Sequence, residues 1–161
     1  MLTLNRNDRG VTLLEMVIVL VILGIFLALA VPRFVKTLPG MKLKGDTRDV
    51  VSVLRLARMR AVAERAVYGV YFDDQKSPPE YVLFKDVNGN EKFNAVGDDI
   101  VFSRELYKKV LYRRVNFLDY VALLKPDGTS NGGSITLGLS ERSDSLVVHI
   151  LPSTGRVKVI P

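Results

Sequence analysis

The chain has 161 residues, a formal net charge of +6 and no cysteine. Its length suits one ordinary domain with a helical extension and is too short for two full domains. The absence of cysteine excludes disulfides, thiolate zinc sites and thiol nucleophiles, while the modest positive charge favours anionic partners such as nucleic acid or lipid headgroups.

The chain opens with a short polar segment followed by a long apolar run. Residues 1–10 carry the cationic pair Arg6 and Arg9. Residues 11–31 are predominantly apolar and contain one charged residue, Glu15, and Pro32 follows the run. At about 1.5 Å per helical residue, a run of this length spans about 30 Å, the thickness of a bilayer core.

Three interpretations of this segment compete. A secretory signal has a similar cationic start, but its apolar region is shorter and ends in a small-residue cleavage site. A plain signal anchor explains the length of the run but not Glu15. An ionised carboxylate at that depth costs on the order of 2–3 kcal/mol or more without a partner, so it indicates a function.

The third interpretation accounts for the charge. The run Arg9-Gly10-Val11-Thr12-Leu13-Leu14-Glu15 resembles the prepilin signal of type IV pilins and type II secretion pseudopilins. The resemblance implies that prepilin peptidase cuts between Gly10 and Val11 and that Val11 is then N-methylated. It further implies that Glu15 compensates the amine of a neighbouring subunit during assembly, and that Pro32 helps to bend or loosen the helix. Val11 departs from the family, which most often has phenylalanine there.

Two indications of membrane orientation conflict. Basic residues follow the span closely: Arg33, Lys36, Lys42 and Lys44. Counting basic residues alone places the C-terminal side in the cytoplasm. The resemblance implies the opposite, a single pass through the bacterial inner membrane with the C-terminal domain in the periplasm. We follow the resemblance because the cleavage motif is the more specific of the two.

A helical continuation is predicted over residues 32–66. Pro39-Gly40 predicts a break near residues 39–45, and Asp46 or Thr47 is suited to cap a second helix that ends near Ala66. An apolar face at helical spacing should pack on a sheet: Val50, Val53, Leu54, Ala57 and Ala61. The other faces carry a basic stripe that could bind an anionic partner, although a solvated face is the simpler interpretation: Arg48, Arg55, Arg58 and Arg65.

The remainder, residues 67–161, is predicted to be a β-rich domain. Strands are expected at Val67–Phe72, Tyr81–Val87, Val121–Lys125, Ser134–Leu139, Ser145–Leu151 and Val157–Ile160, separated by turn residues. The expected class is α+β: a long N-terminal helix, with a transmembrane half and an amphipathic half, packed on an antiparallel sheet or pair of sheets in a pilin-like arrangement.

Three blocks of this domain also have a family resemblance. The blocks are Leu124-Lys125-Pro126-Asp127-Gly128-Thr129, Gly133-Ser134-Ile135-Thr136-Leu137 and Pro152-Ser153-Thr154-Gly155-Arg156-Val157-Lys158-Val159. In this order behind a prepilin signal they are similar to the GspH/FimT branch of minor pilins and pseudopilins. The resemblance implies a structural subunit of a type II secretion pseudopilus or a type IV pilus, with other pilins or pseudopilins as partners. The resemblance does not extend to residues 92–119.

No catalytic set or cofactor is expected. His149 is the only histidine, so any Ser-His-acid arrangement would have to use it, and a structural strand residue is the simpler interpretation. A weak calcium candidate places oxygen side chains at alternate positions: Asp86, Asn88 and Asn90, with Asp98 to close the cage. The glycine is misplaced for an EF-hand loop and the closing glutamate is missing. Asn88-Gly89 is also the strongest short signal for a hairpin.

The end of the chain carries an alternative function. In Gly155-Arg156-Val157-Lys158, strand alternation places Arg156 and Lys158 on one face. FimT-like minor pilins that bind DNA for uptake carry a glycine-arginine motif with a second arginine at this place. Lys158 still neutralises a phosphate but lacks the bidentate fork of arginine.

Overall fold

The computed structural model describes residues 12–160. The chain divides into two compact units, Met1–Leu38 and Pro39–Pro161. Within these residues, the order of elements is one long helix followed by eight strands, with a 3-10 turn between the fourth and fifth strands.

Helix α1 runs from Leu13 to Glu64, so the predicted break near residues 39–45 is wrong. Pro39 removes one amide donor and Gly40 adds backbone entropy, but together these effects disfavour a helix by only a few kcal/mol. Burial of Leu43, which is 3% exposed, favours the helical conformation directly after Pro39-Gly40. Tertiary packing has therefore outweighed local propensity.

Asp46 and Thr47, the predicted capping residues of a second helix, do not cap one. Asp46 lies inside α1, and its Oδ2 accepts a hydrogen bond from the Tyr107 amide at 2.9 Å. The buried Thr47 hydroxyl donates to the Leu43 carbonyl one turn earlier, at 2.7 Å. Both side chains satisfy polar groups within a continuous helix instead of starting a new one.

The C-terminal half of α1 packs through one face, as the spacing predicts. Its buried residues are Leu43, Thr47, Val50, Val51, Val53, Leu54, Ala57 and Ala61. Arg48, Arg55 and Arg58 are exposed. The helix ends where Arg65 adopts a left-handed φ of 50°, and the Ala66 amide donates back to the Ala61 carbonyl at 3.2 Å.

Eight strands form two antiparallel sheets. They are β1 Tyr68–Asp73, β2 Glu80–Lys85, β3 Asp99–Glu105, β4 Val110–Asn116, β5 Val121–Leu124, β6 Gly133–Leu139, β7 Ser145–Ile150 and β8 Val157–Ile160. The first sheet has the order β3-β2-β1-β5 and the second the order β4-β6-β7-β8. The six predicted strands are confirmed to within two residues at each end.

Strands β3 and β4 were not predicted. Each lies at the edge of its sheet, and most of their side chains are exposed or half-buried. Each pairing also contains an irregularity, between Leu83 and Phe84 opposite β3 and between Tyr112 and Arg114 in β4. A bulge interrupts the alternation of buried and exposed residues, which removes the sequence pattern that identifies a strand.

The core lies among α1 and the inner faces of both sheets. It includes Val50 and Leu54 from the helix, Tyr68 and Phe72 from β1, and Ile135 from β6. A second cluster covers the other face of the first sheet, where the Phe93 ring lies 4.8 Å from Tyr71 and 5.1 Å from Phe84 between centroids. Phe93 belongs to the β2–β3 loop, so this loop closes that sheet face.

Candidate functional site

The N-terminal part of α1 presents apolar side chains on all sides. Leu13, Leu20 and Phe26 are each more than 60% exposed. By length and composition, this helix is apolar enough to cross a membrane. A helix that is hydrophobic all round needs an apolar environment, either lipid or the helices of other subunits.

Glu15 lies in the first turn of α1. Its backbone amide donates to the Thr12 hydroxyl at 3.2 Å, so Thr12 caps the helix. A carboxylate in the first turn is also stabilised by the positive end of the helix dipole. The sequence Thr-Leu-Leu-Glu has the spacing of a capping box, a local feature that the assembly interpretation of this motif had not included.

Gly10 and Val11, the predicted cleavage and methylation positions, lie outside the described residues. Pro32, the predicted flexible point, lies inside α1 without ending it. Proline lacks an amide hydrogen, so the helix has one fewer hydrogen bond there. The role of Pro32 in bending the helix stays a prediction.

The Gly155-Arg156 turn rests against helix α1. Gly155 has a φ of 56°, and a Cβ there would lie 2.6 Å from the Gly128 carbonyl oxygen and 3.2 Å from Arg58 Cδ. Only glycine fits this backbone without strain. Arg58 Nε donates to the same Gly128 carbonyl at 3.2 Å, which ties the β5–β6 loop to the helix beneath the turn.

Arg156 and Lys158 are both exposed, while Val157 between them is buried. In register, Lys158 lies opposite His149 of β7. The predicted alternation is therefore present at these three positions. Val159, on the same side as Val157, is 47% exposed. Strand β8 lies at the edge of its sheet, so its residues have a neighbouring strand on one flank only.

The calcium candidates lie in one loop, but backbone amides already occupy most of their oxygens. Asp86 accepts from Gly89 at 2.8 Å and from Glu91 at 3.0 Å. Asp98 Oδ2 accepts from Asn94 at 2.7 Å. Asn88 and Asn90 each accept from the amide two residues on, at 3.0 and 2.8 Å. These contacts give the loop its shape and compete directly with a cation for the same lone pairs.

Ion pairs hold the same loop to its surroundings. Lys92 Nζ lies 3.0 Å from Asp119, and Lys125 Nζ lies 2.9 Å from Glu91. Both pairs are exposed, so each contributes little stability. Together with Phe93 they position the loop over the first sheet.

His149 is half-buried in the middle of β7. Its neighbours across the two flanking strands are Ser134 and Lys158. These strands place a hydroxyl and an ammonium opposite the imidazole, with no carboxylate there to orient it as a catalytic base.

A polar cluster that was not predicted joins α1 to the first sheet. Arg104 of β3 lies 2.9 Å from Asp49 Oδ2, and Asp46 accepts from the Tyr107 amide. Burial raises the pKa of the Asp46 carboxyl above its ordinary value, and the Tyr107 hydrogen bond opposes this rise. The partners are 55 and 61 residues apart in the sequence, so no local sequence pattern predicts the cluster.

Comparisons with known proteins agree with this architecture. Residues 5–31 match the family described as the prokaryotic N-terminal methylation motif. The pilin-like protein PilA1 of Thermus thermophilus is 33% identical over 86 residues, which are 53% of each chain. The match thus spans about half the length of that relative.

Solved structures share the fold. The minor pseudopilin EpsH from the type 2 secretion system of Vibrio cholerae has a TM-score of 0.58 at 9% identity, covering 74% of this chain and 96% of its own. The type IV minor pilin FimU of Pseudomonas aeruginosa has a TM-score of 0.56 at 13% identity, covering 74% and 93%. At such identities the likeness concerns the fold alone. The chain thus combines an N-terminal methylation motif with the α+β fold of type IV pilin-like minor pilins and pseudopilins.

Proposed function

We propose that this protein is a minor pseudopilin, a structural subunit of the periplasmic pseudopilus of a type II protein secretion system. The observation that carries the proposal is the combination of a methylation motif at residues 5–31 with the fold of EpsH and FimU. A chain with both features has an anchoring helix and a folded domain to present on a filament.

In this proposal, prepilin peptidase cuts after Gly10 and Val11 becomes the methylated N-terminus. The apolar part of α1 crosses the inner membrane once before assembly, with the β-rich domain in the periplasm. In the filament the same apolar helix packs against other pseudopilins. Glu15 pairs with the amine of a neighbour, because opposite charges attract strongly at low dielectric.

The test of processing is a mass spectrum of the protein purified from its host. The expected N-terminus is methylated Val11. A native chain that retains Met1, or that is trimmed elsewhere, would contradict the proposal. Gly10→Ala should leave the precursor uncut, and a conservative change outside the motif, Leu2→Ile, serves as the control.

A second candidate is a FimT-like minor type IV pilin that binds DNA for uptake. The exposed side chains of Arg156 and Lys158 favour it, since neither forms an ion pair among the described residues. Deletion of the gene separates the two candidates. Loss of secreted proteins with normal DNA uptake supports the secretion role, and the reverse result supports the DNA-binding role.

A further inference from the structure

Among residues 12–160, no element covers one face of the second sheet, and most side chains on that face are polar, some of them cationic. On its inner side, Ile135, Leu137, Val148 and Ile150 are fully buried. Residues that alternate with these point to the other side. The strand register sets them in two rows that cross all four strands, Asn116-Ser134-His149-Lys158 and Arg114-Thr136-Val147-Ile160, and in a shorter third row, Leu111-Gly138-Ser145. We call this surface the outer face.

A bulge in β4 adds a second arginine to the outer face. Arg113 is the extra residue between the paired positions Tyr112 and Arg114, and bulges commonly re-aim a side chain. Its Nη2 donates to the Leu139 carbonyl at 3.0 Å and to the Arg142 carbonyl. The guanidinium is thereby fixed on the sheet instead of moving freely in solvent.

Gly138 makes this placement possible. A Cβ at Gly138 would lie 2.1 Å from Arg113 Nε and 2.6 Å from Arg113 Cδ. Any side chain at position 138 would therefore displace the arginine. A glycine inside a strand often marks a close approach by another group, and here that group is a cation.

The neighbouring carboxylates do not neutralise the outer face. Glu141 and Asp144, in the β6–β7 turn, lie 3.1 Å from Lys109 and 3.8 Å from Arg142. None of the three rows contains an acidic residue. Arg113, Arg114 and Lys158 thus present positive charge beside the hydroxyl groups of Ser134 and Thr136, an arrangement that suits phosphate oxygens.

We propose that the outer face binds duplex DNA through its phosphate backbone, with Arg113, Arg114, Arg156 and Lys158 as the phosphate contacts. This inference rests on the second candidate function and extends its site from the end of β8 across the whole sheet. With neighbouring strands about 4.8 Å apart, the four strands span roughly 14 Å. This width corresponds to about four phosphates of one DNA strand, which are spaced about 3.4 Å apart along the helix axis. None of the three rows contains Phe, Tyr or Trp, so base stacking on an unpaired strand is not favoured.

The test is the salt dependence of DNA affinity, measured by fluorescence anisotropy with the full chain in non-ionic detergent and a labelled duplex of random sequence. Arg114→Ala and Lys158→Ala should each reduce the slope of log affinity against log salt by about 0.9. Gly138→Ala should act like Arg113→Ala, because the added methyl displaces that guanidinium. Thermal unfolding checks that each variant is folded.

The matched control is Arg55→Ala, which removes one exposed cation from helix α1. It should leave the slope unchanged. A reduced slope for Arg55→Ala with none for Arg114→Ala would place DNA on the helix and overturn the inference. If only Arg156→Ala and Lys158→Ala reduce the slope, DNA contacts the end of β8 alone. That result would overturn the inference that the contact extends across the outer face. If the wild-type chain shows no salt-sensitive DNA affinity, both this inference and the DNA-binding candidate fail. That result would leave the proposed pseudopilin function untouched.

Discussion

Two acidic residues, Glu15 and Asp46, have electrostatic roles that single substitutions can test. Glu15 lies in the first turn of α1, where its backbone amide is capped by Thr12. Its side chain is thus available for a partner outside the helix, since the cap uses the backbone of Glu15 and the hydroxyl of Thr12. Local capping and assembly are compatible because they use different atoms.

Replacing Glu15 by Ala should leave cleavage intact but reduce incorporation into filaments. The cap survives because the amide remains, whereas the charge that we propose to pair with a neighbour is lost. Immunoblots of membrane and filament fractions measure both steps. Glu15→Gln separates charge from hydrogen bonding, and normal incorporation of the alanine variant would refute the charge-pairing role.

Asp46 should make the stability of the domain depend on pH. Burial raises the pKa of its carboxyl above the ordinary value of 3.8. A raised pKa in the folded state means that its contribution to the unfolding free energy is fully present below pH 3.8 and is lost as the pH rises through the folded-state pKa. Asp46→Asn keeps an oxygen for the Tyr107 amide and removes the titration.

The gain in unfolding free energy of Asp46→Asn over wild type should therefore grow as the pH rises from about 3.5 to neutral. Chemical denaturation at several pH values measures it. Asp46→Ala is the matched control. It leaves the Tyr107 amide without its partner and should be less stable than Asp46→Asn at every pH, by about 1–3 kcal/mol. A constant difference between Asn and wild type would contradict the assignment.

At the scale of elements, the continuity of α1 through residues 39–45 is the main departure from expectation. Gly45 has open space around the position of a Cβ and lies within the helix. Gly45→Ala should therefore raise the unfolding free energy by about 0.5–1 kcal/mol, because alanine favours a helix interior. Gly89 provides the contrasting control.

Gly89 has a φ of 71° and similar open space. Gly89→Ala should lower the unfolding free energy, since a side chain is strained in that backbone conformation. Urea denaturation of the two variants side by side tests the helix directly. A loss of stability for Gly45→Ala would indicate that residues 39–45 are not helical and would restore the predicted break.

The two sheets differ in how their outer surfaces are treated. The β2–β3 loop covers the first sheet with Phe93, whereas the second sheet keeps the outer face open. An open face on an antiparallel sheet is normal when its residues are polar. Among the described residues, the first sheet is thus covered on both faces, whereas the second has one face exposed.

At the scale of the molecule, the unit Pro39–Pro161 contains its own core. Every member of the main buried cluster has a number of 43 or above. A fragment of residues 39–161 should therefore unfold cooperatively and need no detergent, because the exposed apolar helix is absent from it. Circular dichroism and thermal melting test this prediction.

A shorter fragment, residues 47–161, is the matched comparison. It lacks Leu43, which is 3% exposed, and the Asp46 acceptor for Tyr107. Removing a buried leucine costs about 2–5 kcal/mol, so this fragment should melt at a clearly lower temperature. Equal melting temperatures would show that the N-terminal end of the packed helix contributes no stability.

The sequence by itself determined the parts of this protein that depend on local chemistry. The apolar run, the Thr-Leu-Leu-Glu motif, the apolar face from Val50 to Ala61 and six of the eight strands were all predicted. Each depends on a period or a residue type that is visible within a few positions.

Only the tertiary structure decided the rest. The helix continues past Pro39 because Leu43 is buried against distant residues. Strands β3 and β4 form because neighbouring strands pair with them, although bulges obscure their alternation. The outer face unites Arg113, Lys158 and Gly138 from three separate strands. Such long-range contacts depend on which segments meet in space, and no local pattern of residues encodes that.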